Sequence, residues 1–427
     1  MLKRTRASYR SIFIFIPFAV TVFSLIGCGR GCGESASRPS AEAIEALAQA
    51  LEEGRDAGSA ENIATLFDHR SLLSRAAKGL QITEEEFERE LATLNSDALI
   101  HGLPAQIANL TGNAGRLRHI GPYTIDGTQY ERFRITLAAG GFEYILFLVS
   151  ATEDGHAIIT DVFSMTRGEP TSAILRRDII EHLARDDKPR RRGFTSDDRL
   201  YAEHLEVFEE AQSLARENDL KGALDRLNSL PERIRDARWL FFIRTGLAQG
   251  AGEETAAKTL DALAQKYPND PAALIHLVDG YMGLDRAEDA LSTLEKVQKT
   301  PANEPYLEFL RGNILIALDR KAEARESIAS YLESEPEDAQ AHFISTQLAL
   351  EEEDYASVAA GLTALFELVG LTVDESDDPR FEAFFASEES APYREAIKDA
   401  PPRPKRPATP HGDGHDHGHD HGHDHVH

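Results

Sequence analysis

A spacing of 34 residues governs the second half of this 427-residue chain. Counted from Ala237, Pro271, Pro305 and Ala339, four stretches fall into phase. Position 20 is Ala256, Ala290, Ala324 and Val358, and position 24 is Leu260, Leu294, Ile328 and Leu362. Position 27 is Leu263, Val297, Tyr331 and Leu365, and position 11 is Leu247, Tyr281, Leu315 and Ala349. Pro268 and Pro336 stand at position 32 of the first and third copies, with Pro301 one place early in the second. A weaker copy over 204–236 carries Ala211, Leu214, Ala223, Leu227 and Leu230. A unit of this length cannot bury its apolar face alone, so stacked neighbours must make the core. Each copy reads as two helices. Small residues at positions 8 (Gly312) and 20 let them approach, large ones at 24 and 27 fill the space against the next unit, and Pro near 32 ends the second helix.

These positions resemble the tetratricopeptide repeat (TPR), and the resemblance covers about 200–371. It implies an α-solenoid that holds a protein partner in a groove. Position 4 departs from the family pattern, being Leu240, Leu274, Glu308 and His342, as does position 8 in Arg244 and Val278. In such an array partner contacts are expected from first-helix side chains, here Arg244, His276, Asp279, Asn313 and His342. The aromatic stretch Phe381, Phe384, Phe385 and Tyr393, within 372–400, is expected to cap the last repeat, since solenoid ends need covering.

Residues 40–184 have another rhythm, that of a small α+β domain. Ile44, Leu47 and Leu51 share a helix face; Ile63, Phe67, Leu72 and Leu73 suggest a second helix; Thr83 and Glu86 form a capping box for a third. Strands follow at Leu117–Ile125, Tyr130–Leu137, Phe142–Val149 and Ala157–Met165, punctuated by Asp126-Gly127, Gly140-Gly141 and Asp154-Gly155. Phe133, Ile135 and Leu137 alternate with polar residues, which predicts one wet face; Phe142–Val149 is apolar on both sides and should be central. Helices followed by a meander loosely resemble the NTF2-like or cystatin-like group, which implies either a pocket for a small ligand or a docking module. The ionisable candidates His101, His119, His156, Asp126 and Asp161 show no catalytic spacing, and the chain has no GxSxG, P-loop or HExxH motif. No enzyme is expected. A helix near Ile174–Leu183 leads to a linker at 185–199, whose Lys188–Gly193 run reads as a solvated hinge.

Two terminal segments speak of address and chemistry. Lys3, Arg4, Arg6 and Arg10 precede an apolar run, Ile12–Ile26, that ends in Gly27-Cys28. The run is too short to span a bilayer and is broken by Pro17. The segment resembles a bacterial lipobox, which implies a signal peptide over 1–27, acylation of Cys28 and a tether over 28–39. With Gly29 after the Cys, an outer-membrane anchor facing the periplasm is expected. The other cysteine, Cys32, makes no disulfide framework. Net charge is −26, which argues against nucleic-acid partners. At the other end, 401–427 opens with Pro401, Pro402, Pro404, Pro407 and Pro410 and closes with His411, His415, His417, His419, His421, His423, His425 and His427, interleaved with Asp and Gly. Such a tract is expected to be disordered and to bind Zn, Ni or Cu through imidazole. No cofactor is required. Three functions therefore stand side by side: a membrane-anchored interaction scaffold, a periplasmic metal buffer or delivery lipoprotein, and a small-ligand domain with a docking arm.

Overall fold

The computed structural model describes residues 38–100, 102–110, 115–136, 141–186, 193–298, 304–375 and 377–400. They fall into two compact units, one ending at Pro336 and the other beginning at Glu337. The described residues are mainly helical, with one small antiparallel sheet in the N-terminal part.

The first unit opens with α1 (Ala41–Asp56), α2 (Ala60–Ala64), α3 (His69–Ala76), α4 (Glu84–Ile100) and α5 (Leu103–Leu110). Side chains of Ser40, Ser59 and Asp68 accept from first-turn amides of α1, α2 and α3. The stretch from Ile63 to Leu73 suggested one helix and forms two. Asp68 caps a fresh start, and Phe67 leaves the helix to bridge Ile159.

The sheet runs β1 (Arg116–Ile125), β2 (Thr128–Thr136), β3 (Phe142–Ala151), β4 (Ala157–Ser164) and β5 (Glu169–Pro170), paired in that order. Strand β3 lies between β2 and β4. The β1–β2 turn places Asp126 and Gly127 at φ 50° and 75°, the pair of positive values a two-residue hairpin needs. On one face Phe133, Ile135, Ile145, Phe147 and Val162 pack with Leu47, Leu51, Ile63 and Ile107. The opposite face of β2 is not wet, contrary to its polar alternation: Arg132 is 5% exposed and Arg134 2%. Tyr144 and Leu146 of β3 are equally buried there. Helix α6 (Thr171–Asp186) is tied to β4 because Ser172 donates its backbone N–H and hydroxyl to Asp161.

The remaining helices come largely in pairs. After α7 (Ser196–Glu203), α8 (Leu205–Arg216) and α9 (Leu220–Asn228) form the weaker copy, followed by the short α10 (Glu232–Arg235). The in-phase copies are α11 (Arg238–Ala251) with α12 (Glu253–Lys266), α13 (Pro271–Gly283) with α14 (Ala287–Gln298), and α15 (Tyr306–Ala317) with α16 (Lys321–Ser334). Ala290, Leu294, Ala324 and Ile328 have no exposed surface, as close helix pairs require. Asp270 caps α13 by accepting from Ala273 N–H. The turns between paired helices place Asp285 and Asp319 in the left-handed region, both at φ 57°, again one repeat apart.

The core does not stop at the expected linker over 185–199. Leu73, Leu91, Ile180 and Leu183 join Tyr201, Ala223, Leu227, Leu240 and Leu247 in one apolar cluster. In the second unit α17 (Ala339–Glu351) and α18 (Tyr355–Val369) form the last pair, with α19 (Arg380–Ala386) and α20 (Ala391–Ala396) after it. Phe381, Phe384 and Tyr393 bury against Ala349, Leu350, Val358, Leu362 and Leu365. The Tyr393 hydroxyl accepts from Val373 N–H at 2.7 Å. No helix among the described residues is long and apolar enough to cross a membrane.

Candidate functional site

The first helices of the repeats are where a partner was expected, and in the first unit the chain's own sheet occupies part of that face. Arg134 reaches from β2 to two buried carboxylates, Glu304 just before α15 and Glu335 just after α16, the second at 2.7 Å. Its guanidinium lies 4.9 Å from the centre of the Tyr306 ring. Arg118 of β1 also pairs with Glu335. Phe142 meets Tyr306 with ring centres 4.8 Å apart. Further along, Arg238 of α11 donates to the Gly168 carbonyl at 2.7 Å and pairs with Asp126 and Asp270. Burial alone would lower the pKa of Arg134, but Glu304 and Glu335 outweigh it and hold the group firmly charged. Close approach explains Gly168: at φ 69°, an added Cβ would sit 2.5 Å from the Phe242 ring.

His276 belongs to this contact. It is 4% exposed, stands 4.2 Å from the Phe242 ring centre, and its Nε2 donates to the Thr166 carbonyl at 2.6 Å. It faces the chain itself rather than solvent, because the turn after β4 reaches α13 there. Burial pushes its pKa down to about 4.

A second arrangement lies on another side of α11. Arg244 stands about 200° around the helix from Phe242 at 100° per residue. It lines a cleft of about 570 Å³ with Asn228, Arg235, Asp236, Phe241, Ala262, Gln265 and Lys266. Local structure fixes it there: Nε donates to Asn228 Oδ1 at 2.8 Å, Nη1 to the Arg235 carbonyl at 3.2 Å, and the guanidinium lies 4.8 Å from the Phe241 ring centre. One carboxylate serves three cations, with Asp236 at 3.1 Å from Arg235, 3.4 Å from Lys266 and 4.0 Å from Arg244. Burial and the neighbouring Arg235 lower the Arg244 pKa. Burial would raise that of Asp236, but its bonds from Arg235 and Lys266 outweigh this and hold it below the usual carboxylate range.

The other expected contact residues are not gathered into this cleft. Asp279 is exposed on α13, and Asn313 donates to the Phe309 carbonyl within α15. His342 is half-buried on α17 in the second unit. Cys28 and the histidines from His411 to His427 lie outside the described residues. Of the ionisable candidates in the N-terminal part, His119 is half-buried on β1, where it bonds Glu131 at 3.0 Å and lies against Phe133. Among the described residues no group of three or more His, Cys, Asp or Glu is placed to hold a metal ion. Sequence reasoning missed Arg235, Asp236 and Lys266. Their signal was available in the acid at position 34 of successive copies, Asp236, Asp270, Glu304 and Asp338, which gathers cations or caps the next helix.

No family model matches this chain, and no curated protein matches it in sequence. Among solved structures, the crystal structure of MamA is similar to 34% of this chain and covers 83% of its own, at 15% identity and a TM-score of 0.28.

Proposed function

We propose that this chain is a lipid-anchored, non-catalytic interaction scaffold of the bacterial cell envelope, built on TPR-type helix pairs. The observation that supports it most is the cleft on α11 and α12. Arg244, Arg235 and Lys266 line this cleft, while the sheet region takes up a different side of α11. In this reading Cys28 carries the acyl anchor at an outer membrane, and the sheet serves to brace the first three in-phase pairs. Cross-linking mass spectrometry on intact membranes tests it. Partner cross-links concentrated on 205–369 are expected; cross-links confined to 38–186 or to the tail would remove the scaffold role.

A second reading, metal buffering or delivery in the periplasm, rests on the eight histidines and interleaved aspartates of 411–427. Deletion of that tract should then lower the bound Zn, Ni or Cu and the metal tolerance of cells. Unchanged tolerance would reduce the tract to a solvating tail.

A further inference from the structure

We infer that the cleft between α9, α10, α11 and α12 is a carboxylate-binding site that takes a short acidic peptide segment of a protein partner, read by Arg235, Arg244 and Lys266. This names the partner chemistry of the scaffold proposed above and rests on that reading.

Uncommitted donors point to the ligand's charge. Arg244 uses Nε and Nη1 on Asn228 and the Arg235 carbonyl, leaving Nη2 without a bond. Arg235 bonds Asp236 through Nε, leaving both terminal nitrogens. Lys266 has only the 3.4 Å contact with Asp236. Two planar guanidinium edges and an ammonium around one shared carboxylate form a local excess of positive charge. A second carboxylate would complete it, and guanidinium edges match a carboxylate in a bidentate way.

Pre-organisation is built in. The side chain of Arg244 is 13% exposed and held from three sides by Asn228, the Arg235 carbonyl and Phe241. Little rotamer freedom is lost there on binding. Arg235 and Lys266, at 34% and 46%, remain accessible at the mouth.

The rest of the molecule decides between classes of anion. A chain of net charge −26 repels an extended polyanion such as an anionic bilayer or a nucleic acid. A short acidic segment samples only the field within about 8 Å at physiological salt, and in the cleft three cations share one carboxylate, Asp236. Gln265, exposed at the rim, offers an amide to a peptide backbone.

The test is fluorescence anisotropy of labelled hexaglutamate titrated with the full chain in detergent. Hexaglutamine, inorganic phosphate and phosphatidylglycerol vesicles serve as comparators. Saturable hexaglutamate binding is expected, weakening with salt and falling about tenfold or more in Arg235→Gln and in Lys266→Glu. Arg244→Lys, which keeps the charge but not the fork, should weaken it as well. Circular dichroism checks that each variant folds. No binding, or equal binding by these variants, overturns the inference. So does phosphate competing at the same concentration as the peptide, which would mark a free-anion site, or vesicles binding in its place. Failure of the scaffold reading looks different: hexaglutamate would still bind through Arg235 and Lys266 while membrane cross-links avoid the array. Conversely, array cross-links untouched by these substitutions would leave the scaffold standing and remove the cleft.

Discussion

His276 shows what a single residue can mean once its neighbours are known. In sequence it was a polar side chain on a first helix, hence a candidate for partner contact. In the structure its ring is enclosed by Phe242 and the turn after β4, and its Nε2–H is committed to the Thr166 carbonyl. Burial favours the neutral ring, with the Thr166 bond and Asp270 opposing only in part, so its pKa sits at about 4 against an ordinary 6.5. A folded value below the unfolded one gives stability that is present above pH 6.5 and lost as pH falls toward 4. At pH 5 the loss from this group is about 2 kcal/mol. Urea denaturation at pH 7.5 and pH 5 should show it, and His276→Gln, which does not titrate, should narrow the difference between the two pH values. Equal pH dependence in the variant would place the acid sensitivity elsewhere. Nothing in the local sequence could reveal this, because Thr166 lies outside the repeats.

At the scale of elements, the helix pairs were legible and their docking partner was not. Small residues at position 20 and apolar ones at position 24 report the contact inside a pair, and Ala290, Leu294, Ala324 and Ile328 are fully buried. Gly312 gives the sharpest test of that contact. A Cβ there would meet Ile328 Cδ1 at 2.6 Å and the Ala324 carbonyl at 3.3 Å. Ala improves helix propensity over Gly by about 1 kcal/mol, while overpacking costs about 1–3 kcal/mol. Gly312→Ala should therefore destabilise by about 1 kcal/mol. Combining it with Ile328→Val should recover part of that loss, giving a coupling of about 1 kcal/mol in a double-mutant cycle followed by urea denaturation. Zero coupling would mean that α15 and α16 shift apart instead of sharing the space. The polar face of β2 misled for an equally physical reason. Alternation reports that a face lacks apolar residues, not that it meets water: Arg132 lies over the Tyr123 and Tyr144 rings of the same sheet, and Arg134 meets the Tyr306 ring and the Glu304 carboxylate far along the chain. The candidate site was legible only at Arg244, since the cleft needs residues from four helices and no local pattern joins them.

Within the first unit, buried charge ties the sheet to the repeats. Arg134, Glu304 and Glu335 have side-chain exposures of 2%, 0% and 2%; Arg134 and Glu304 depend on this contact for the solvation they lost, and Glu335 on it and on Arg118. Arg134→Met removes the cation and leaves two carboxylates buried together, at a cost of about 3–5 kcal/mol. Changing all three at once, Arg134→Met with Glu304→Gln and Glu335→Gln, removes the unpaired charge and should restore much of that stability. The loss should also be shared between elements that are distant in sequence. Hydrogen exchange by mass spectrometry on the intact chain should show β2, β3, α15 and α16 of Arg134→Met opening together, and the triple variant should protect them again. If exchange rises in the strands alone while α15 and α16 keep their protection, the array stands without the sheet. The brace assigned to the sheet would then be wrong, and the first-helix face beneath it would be open to a partner after all.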